Sequence, residues 1–193
     1  MIRRLLLAAA LSASATTAQA AGPETTPLPF DVGGAFELVD QTGAPRTQAD
    51  PEGQLQLLFF GYANCQQICS AALPLMAEVT DTLAEDGIPL RPVMITVDPA
   101  RDTPRTIGPA LARHHAAFVG LTGSEPALQV AYDAFSVTRE ELFTDPEYGP
   151  VYSHGSFLYL LNAEGAVLTL LPPVLPASEI HRIVQRYASA TSS

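Results

Sequence analysis

The chain has 193 residues, enough for one domain, and its 47% hydrophobic and 16% charged composition excludes a disordered chain. Twenty acids face ten basic residues, all of them arginine, for a formal net charge of −10. With no clustered positive charge, nucleic acid and anionic lipid surfaces are excluded as partners.

The first segment has the form of an export signal. Arg3 and Arg4 form a positive start, Leu5 to Leu11 a short apolar core, and Ala18-Gln19-Ala20 a small-residue cleavage site. A retained membrane anchor is the alternative. It would need about 20 apolar residues in a row, and Ser12, Ser14, Thr16, Thr17 and Gln19 interrupt this one. Cleavage after Ala20 removes two arginines and no acid, leaving a mature charge of −12. The expected location is the periplasm. Residues 21–34, rich in Pro and Gly, are expected to be a linker, and residues 35–190 a single domain.

Within that domain, Phe36 to Val39 predicts a short strand followed by a turn at Gln41-Thr42-Gly43. Leu55 to Tyr62 is a continuous apolar run of strand length, the pattern of a strand buried on both faces. Residues 71–83 have helical spacing, and Arg91 to Val97 is a second buried strand. A turn over Asp98 to Thr103 leads into a helix starting at Pro104, capped by Thr103 or Asp102. Residues 117–121 predict a third strand, 125–135 a helix, and 138–149 an acidic loop. Residues 157–161 and 166–171 form a hairpin around Asn162-Ala163-Glu164-Gly165, and 178–188 a closing helix with Ser178 as cap. Alternating strands and helices imply an α/β fold, with a central mixed sheet and helices on both faces.

The sharpest chemical signal is Cys65-Gln66-Gln67-Ile68-Cys69, which contains both cysteines of the chain. It falls just past a central strand and at the start of a helix, where open α/β sheets place their sites. The positive end of a helix there favours thiolate. A disulfide between residues four apart closes too short a loop to stabilise much. The spacing suits a metal clip or a redox pair, and the residues alone leave both open. Soft thiolates select copper(I), zinc or iron–sulfur clusters, and two sulfurs need further ligands. Of four histidines, His114 and His115 sit near a helix end and His181 among arginines on the last helix, all expected at the surface. His154, in the polar turn Ser153-His154-Gly155-Ser156, is the best placed to join the cysteines.

The stretches FFGYANCQQIC (59–69), ITVDPARDTP (95–104), FVGLTG (118–123) and YSHGSFLYLLNAEG (152–165) resemble those of the SCO/SenC copper-handling family. The resemblance covers about residues 36–188. It implies a thioredoxin-like fold and one copper, as Cu(I) or Cu(II), held by Cys65, Cys69 and His154. It also implies a monomer that helps build the dinuclear copper centre of cytochrome c oxidase. The implied partners are the oxidase's copper-bearing subunit and other periplasmic copper chaperones or thiol reductants. Gln66, Ser70 and Ser153 depart from the Pro, Pro and Asp usual in the family, which bears on redox poise and partner choice. The rival function is a thiol–disulfide oxidoreductase in which Cys65 attacks and Cys69 resolves, with His154 tuning the thiolate. Asp98 and Asp102 are expected to serve the turn, with Arg101 pairing with one of them.

Overall fold

The computed structural model describes residues 28–65 and 69–191. The expected export signal and residues 21–27 of the expected linker lie outside them. The elements in chain order are β1 (Leu38–Asp40), β2 (Pro45–Arg46), β3 (Leu55–Gly61), α1 (Cys69–Glu85), β4 (Leu90–Thr96), α2 (Pro104–Ala112), β5 (Val119–Thr122), α3 (Glu125–Ala134), β6 (Glu140–Asp145), β7 (Gly149–Ser153), β8 (Leu158–Leu161), β9 (Val167–Leu171) and α4 (Ala177–Thr191).

Seven strands form one sheet in the order β2-β1-β5-β4-β3-β8-β9. The β3–β4 and β4–β5 pairs are parallel, and β8 and β9 join antiparallel, so the sheet is mixed. β3 lies inside the sheet between β4 and β8, with Leu57, Phe59 and Phe60 fully buried. The apolar run reads as it does because both faces of this strand are covered. Register shows by what. Phe59 aligns with Met94 and Met94 with Gly120, so these three share a face. A Cβ on Gly120 would lie 2.7 Å from Ile107 of α2, which places α2 over that face. The Cβ direction of the neighbouring Gly61 points at Phe59 and Cys69, which places the start of α1 there too. α4 packs against α1. On the opposite face Phe60 meets Tyr132 and Phe135 of the α3 segment and Tyr159 of β8, with ring centroids 5.5–6.0 Å apart. Their polar ends are satisfied: the Tyr132 hydroxyl donates to the Thr96 carbonyl (2.7 Å) and that of Tyr159 to Phe135 (3.0 Å). Helices thus cover both faces, as expected.

Two expectations need correction, on residues 138–149 and Ser178, and a third, on the cap of α2, is narrowed. Residues 138–149 are not simply a loop: β6 and β7 pair antiparallel as a separate two-stranded sheet. β6 is exposed on both of its faces except at Asp145, so its sequence lacks the alternation that marks a half-buried strand. The cap of α2 is Thr103, whose N–H donates to the Thr106 hydroxyl at 2.9 Å; Asp102 is used elsewhere. Ser178 is the second residue of α4 rather than its cap.

At the amino end of β3 and β4 the side chain of Asp50 is fully buried. It accepts the N–H groups of Glu52 (2.9 Å) and Gln54 (3.2 Å) and faces Arg91 at 3.2 Å and Arg46 at 3.8 Å. This charged knot ties the loop before β3 to β2 and β4. The functional candidates gather at the opposite, carboxyl end.

Candidate metal centre

β3 ends at Gly61, and Tyr62 to Cys65 turn away from the sheet, with the Cys65 N–H donating to the Tyr62 carbonyl at 3.1 Å. Cys65 therefore precedes α1, whose first residue is Cys69; the two cysteines do not share a helix face. Cys69 belongs instead to the buried face of α1, in line with Leu73, Met76, Thr80 and Leu83. A Cβ on Gly61 would come within 3.1 Å of the Cys69 sulfur, so that glycine lets the helix seat against the strand end.

His154 arrives from the other side, directly after β7. Its ring packs edge-on against Phe59 and Tyr62, each with centroids 5.8 Å away. Nδ1 lies 2.9 Å from the Gly155 carbonyl. A carbonyl only accepts, so Nδ1 carries the proton and the Nε2 lone pair is left for a ligand. Nε2 stands 3.7 Å from the Cys69 sulfur. The donor atoms of Cys65, Cys69 and His154 all lie within 4.8 Å of one another. Sulfur donors at about 2.3 Å from a shared ion in a trigonal set stand about 4.0 Å apart, so a side-chain adjustment of under an ångström closes the set.

Neither cysteine is in a disulfide, and both are buried. Burial, with Cys65 alongside, pushes the Cys69 thiol far above its ordinary range, and the same burial raises Tyr62 to about 12. The pocket thus disfavours bare negative charge and favours a cation that would neutralise the thiolates. Two soft sulfurs and one imidazole nitrogen in an aromatic shell are the donor set for a soft transition metal.

The remaining sequence candidates separate from this group. His115 pairs with Asp81 (3.1 Å) and His181 with Asp86 (2.7 Å), both at the helix surface, and His114 is exposed. The turn Asp98 to Thr103, by contrast, reaches the centre in a way its residue types alone did not reveal. The Asp102 carboxylate is buried and accepts the Thr96 hydroxyl (2.7 Å) and the N–H of Ala63 (3.0 Å), two residues before Cys65. Burial raises its pKa above the ordinary 3.8. Asp98 pairs with Arg101 and donates its backbone N–H to the Thr96 hydroxyl at 2.9 Å.

This arrangement has counterparts. The sequence profile of SCO1/SenC matches residues 24–189. The chain belongs to the SCO1/SenC family. A SCO2-like protein of Rickettsia felis is 38% identical over 140 residues, 71% of this chain and 67% of the relative. The human mitochondrial SCO2 homolog is 33% identical over 162 residues, 83% of this chain and 61% of the relative. Among solved structures, yeast Sco1 superposes with a TM-score of 0.76 at 28% identity, over 83% of this chain and 99% of that one. Bradyrhizobium japonicum ScoI with copper bound gives 0.71 at 28% identity, over 81% and 99%. The fold is therefore that of the Sco thioredoxin-like structures.

Proposed function

We propose that this SCO1/SenC protein is an exported copper metallochaperone. In this reading it binds one copper through Cys65, Cys69 and His154 and hands it to the copper-bearing subunit of cytochrome c oxidase. The observation that carries the reading is the convergence of those three donor atoms at the end of the central strand. Family membership supports the oxidase role, since SCO proteins assist cytochrome c oxidase assembly. The copper-bound ScoI and copper-bound yeast Sco1, 28% and 29% identical, support the metal. The signal-like pattern of residues 1–20 supports a periplasmic site of action.

Anaerobic copper titration of the reduced protein, with metal analysis, tests the reading. One copper per chain is expected, and none in a Cys65→Ser, Cys69→Ser double variant. The same stoichiometry in that variant would discard the site.

The two neighbouring thiols, not joined in a disulfide, also support a reductase reading. Cys65 would attack a target disulfide to form a mixed disulfide. Cys69 would then release the reduced target, leaving a Cys65–Cys69 disulfide. The raised pKa of Cys69 suits the second, resolving step. Replacing His154 discriminates the two, because a dithiol mechanism, in which the imidazole only tunes the thiolate, tolerates its loss better than a metal site does.

A further inference from the structure

The run Asp98-Pro99-Ala100-Arg101-Asp102-Thr103-Pro104 supplies no metal ligand, yet two consecutive side chains of its turn grip the two segments that do. Asp102 holds the Cys65 segment through the Ala63 N–H at 3.0 Å. Arg101 holds the His154 segment. Its Nη2 donates to the Pro150 carbonyl at 2.8 Å, its Nη1 to the Tyr148 carbonyl, and its Nε pairs with Asp98. Its guanidinium carbon also lies 5.7 Å from the centroid of the Tyr62 ring, within cation–π range. That ring is the one that packs on His154, and the Tyr62 hydroxyl accepts the Tyr152 N–H at 3.5 Å.

The hairpin is built around this side chain. Gly149, at φ +77°, opens β7, and a Cβ there would sit 2.5 Å from Arg101 Nη1. A guanidinium fork reaching two carbonyls and a carboxylate at once is a task lysine cannot do. β6 and β7 share no sheet with the core, so side-chain ties set where β7 delivers His154: those of Arg101, the Tyr62 hydroxyl, and Arg139, which donates to the Val97 carbonyl and lies 4.7 Å from the centroid of the Tyr152 ring.

We infer that Arg101 is a positioning residue for metal ligation: it fixes the place of His154 relative to the two cysteines by clamping β7 to the turn that also holds the Cys65 loop. The inference rests on the three-ligand reading of the site. Its effect is selective between oxidation states. Cu(I) stays on two thiolates, whereas the harder Cu(II) depends on the nitrogen. Loss of the clamp therefore weakens Cu(II) and leaves Cu(I) close to its native affinity.

The experiment compares native protein with Arg101→Lys, Arg101→Gln and Gly149→Ala. Cu(I) and Cu(II) affinities are measured by ligand competition, the Cu(II) site by its visible and EPR spectra, and the apoprotein by thermal unfolding. Expected is a fall in Cu(II) affinity of about tenfold or more in each variant, the usual cost of losing a group that orients a ligand. The EPR hyperfine pattern changes with it. Arg101→Lys keeps the charge beside Asp98 and so keeps the fold, but does not restore the spectrum; it decides the matter if Arg101→Gln does not fold. Native Cu(II) affinity and spectrum in Arg101→Lys would overturn the inference, as would equal losses for Cu(I) and Cu(II). Failure of the native protein to bind copper would instead remove the site reading and this inference with it.

Discussion

Two aspartate–arginine knots stand at opposite ends of the same pair of parallel strands, and their contrast separates structure from function. At the amino end, Asp50 is surrounded by backbone N–H groups of its own loop and by Arg46 and Arg91. Every partner belongs to the scaffold. At the carboxyl end, Asp98, Arg101 and Asp102 use the same chemistry, but their far ends land on Ala63, Tyr148, Pro150 and the Tyr62 ring, next to the ligand-bearing residues. Residue types do not distinguish the two knots; what their outer atoms touch does.

The largest effect expected from breaking this comparison is at the amino end. Asp50→Ala leaves the Glu52 and Gln54 N–H groups without their acceptor, at about 1–3 kcal/mol each, and takes one carboxylate from Arg46 and Arg91, which keep Asp40 and Glu52 as partners. Copper affinity of the folded fraction should not change. Denaturant unfolding paired with copper competition checks this, and a matching loss of affinity would erase the distinction between the two ends. Next comes the ligand itself. His154→Ala should lower Cu(II) affinity by about a hundredfold, near 2.7 kcal/mol, lower Cu(I) affinity much less, and leave both thiols able to reduce a model disulfide. If oxidase assembly proceeds unimpaired in that variant, the reductase reading gains.

The smallest effect sharpens the carboxyl-end knot. Asp102→Ala leaves the Thr96 hydroxyl and the Ala63 N–H without their acceptor, at a cost of about 1–3 kcal/mol. Asp102→Asn retains an acceptor and should cost less. The native carboxyl has a raised pKa, so the folded state holds its proton more tightly than the unfolded state does. Its contribution is therefore greatest below the ordinary value of 3.8 and declines as pH rises through the folded value. Asp102→Asn removes that decline. Unfolding midpoints of the two proteins should draw together, in the direction of the variant, as pH is raised from about 4 towards neutrality. Parallel curves for native protein and variant would show that Asp102 is not the source.

Much of this was legible in the residues. LQLLFFG could be placed at the centre of the sheet because nothing polar interrupts it beyond Gln56, and RPVMITV could be placed beside it on the same ground. Cys65, Cys69 and His154 were nameable because two cysteines four apart at a strand end leave few readings, and the family's stretches supplied the histidine. The hairpin of β6 and β7 was not legible. β6 buries almost nothing and β7 is only half-buried, and hairpins are recognised in sequence by one buried face or a tight-turn dipeptide. Nor was the role of Arg101 and Asp102 visible: an aspartate before a helix and an arginine beside another aspartate have a local explanation, and only the folded chain shows that their partners lie about 40 to 50 residues away.

That hairpin also bears on the speed of exchange. A two-stranded ribbon with an exposed outer strand is marginal by itself, and opening it breaks no ladder bond of the seven-stranded sheet. β7 runs straight into His154. The nitrogen ligand can thus leave through a local opening while the core, and both sulfurs, stay in place. If the protein hands on metal as proposed, release by this route would follow the lifetime of one small ribbon rather than the far slower unfolding of the domain.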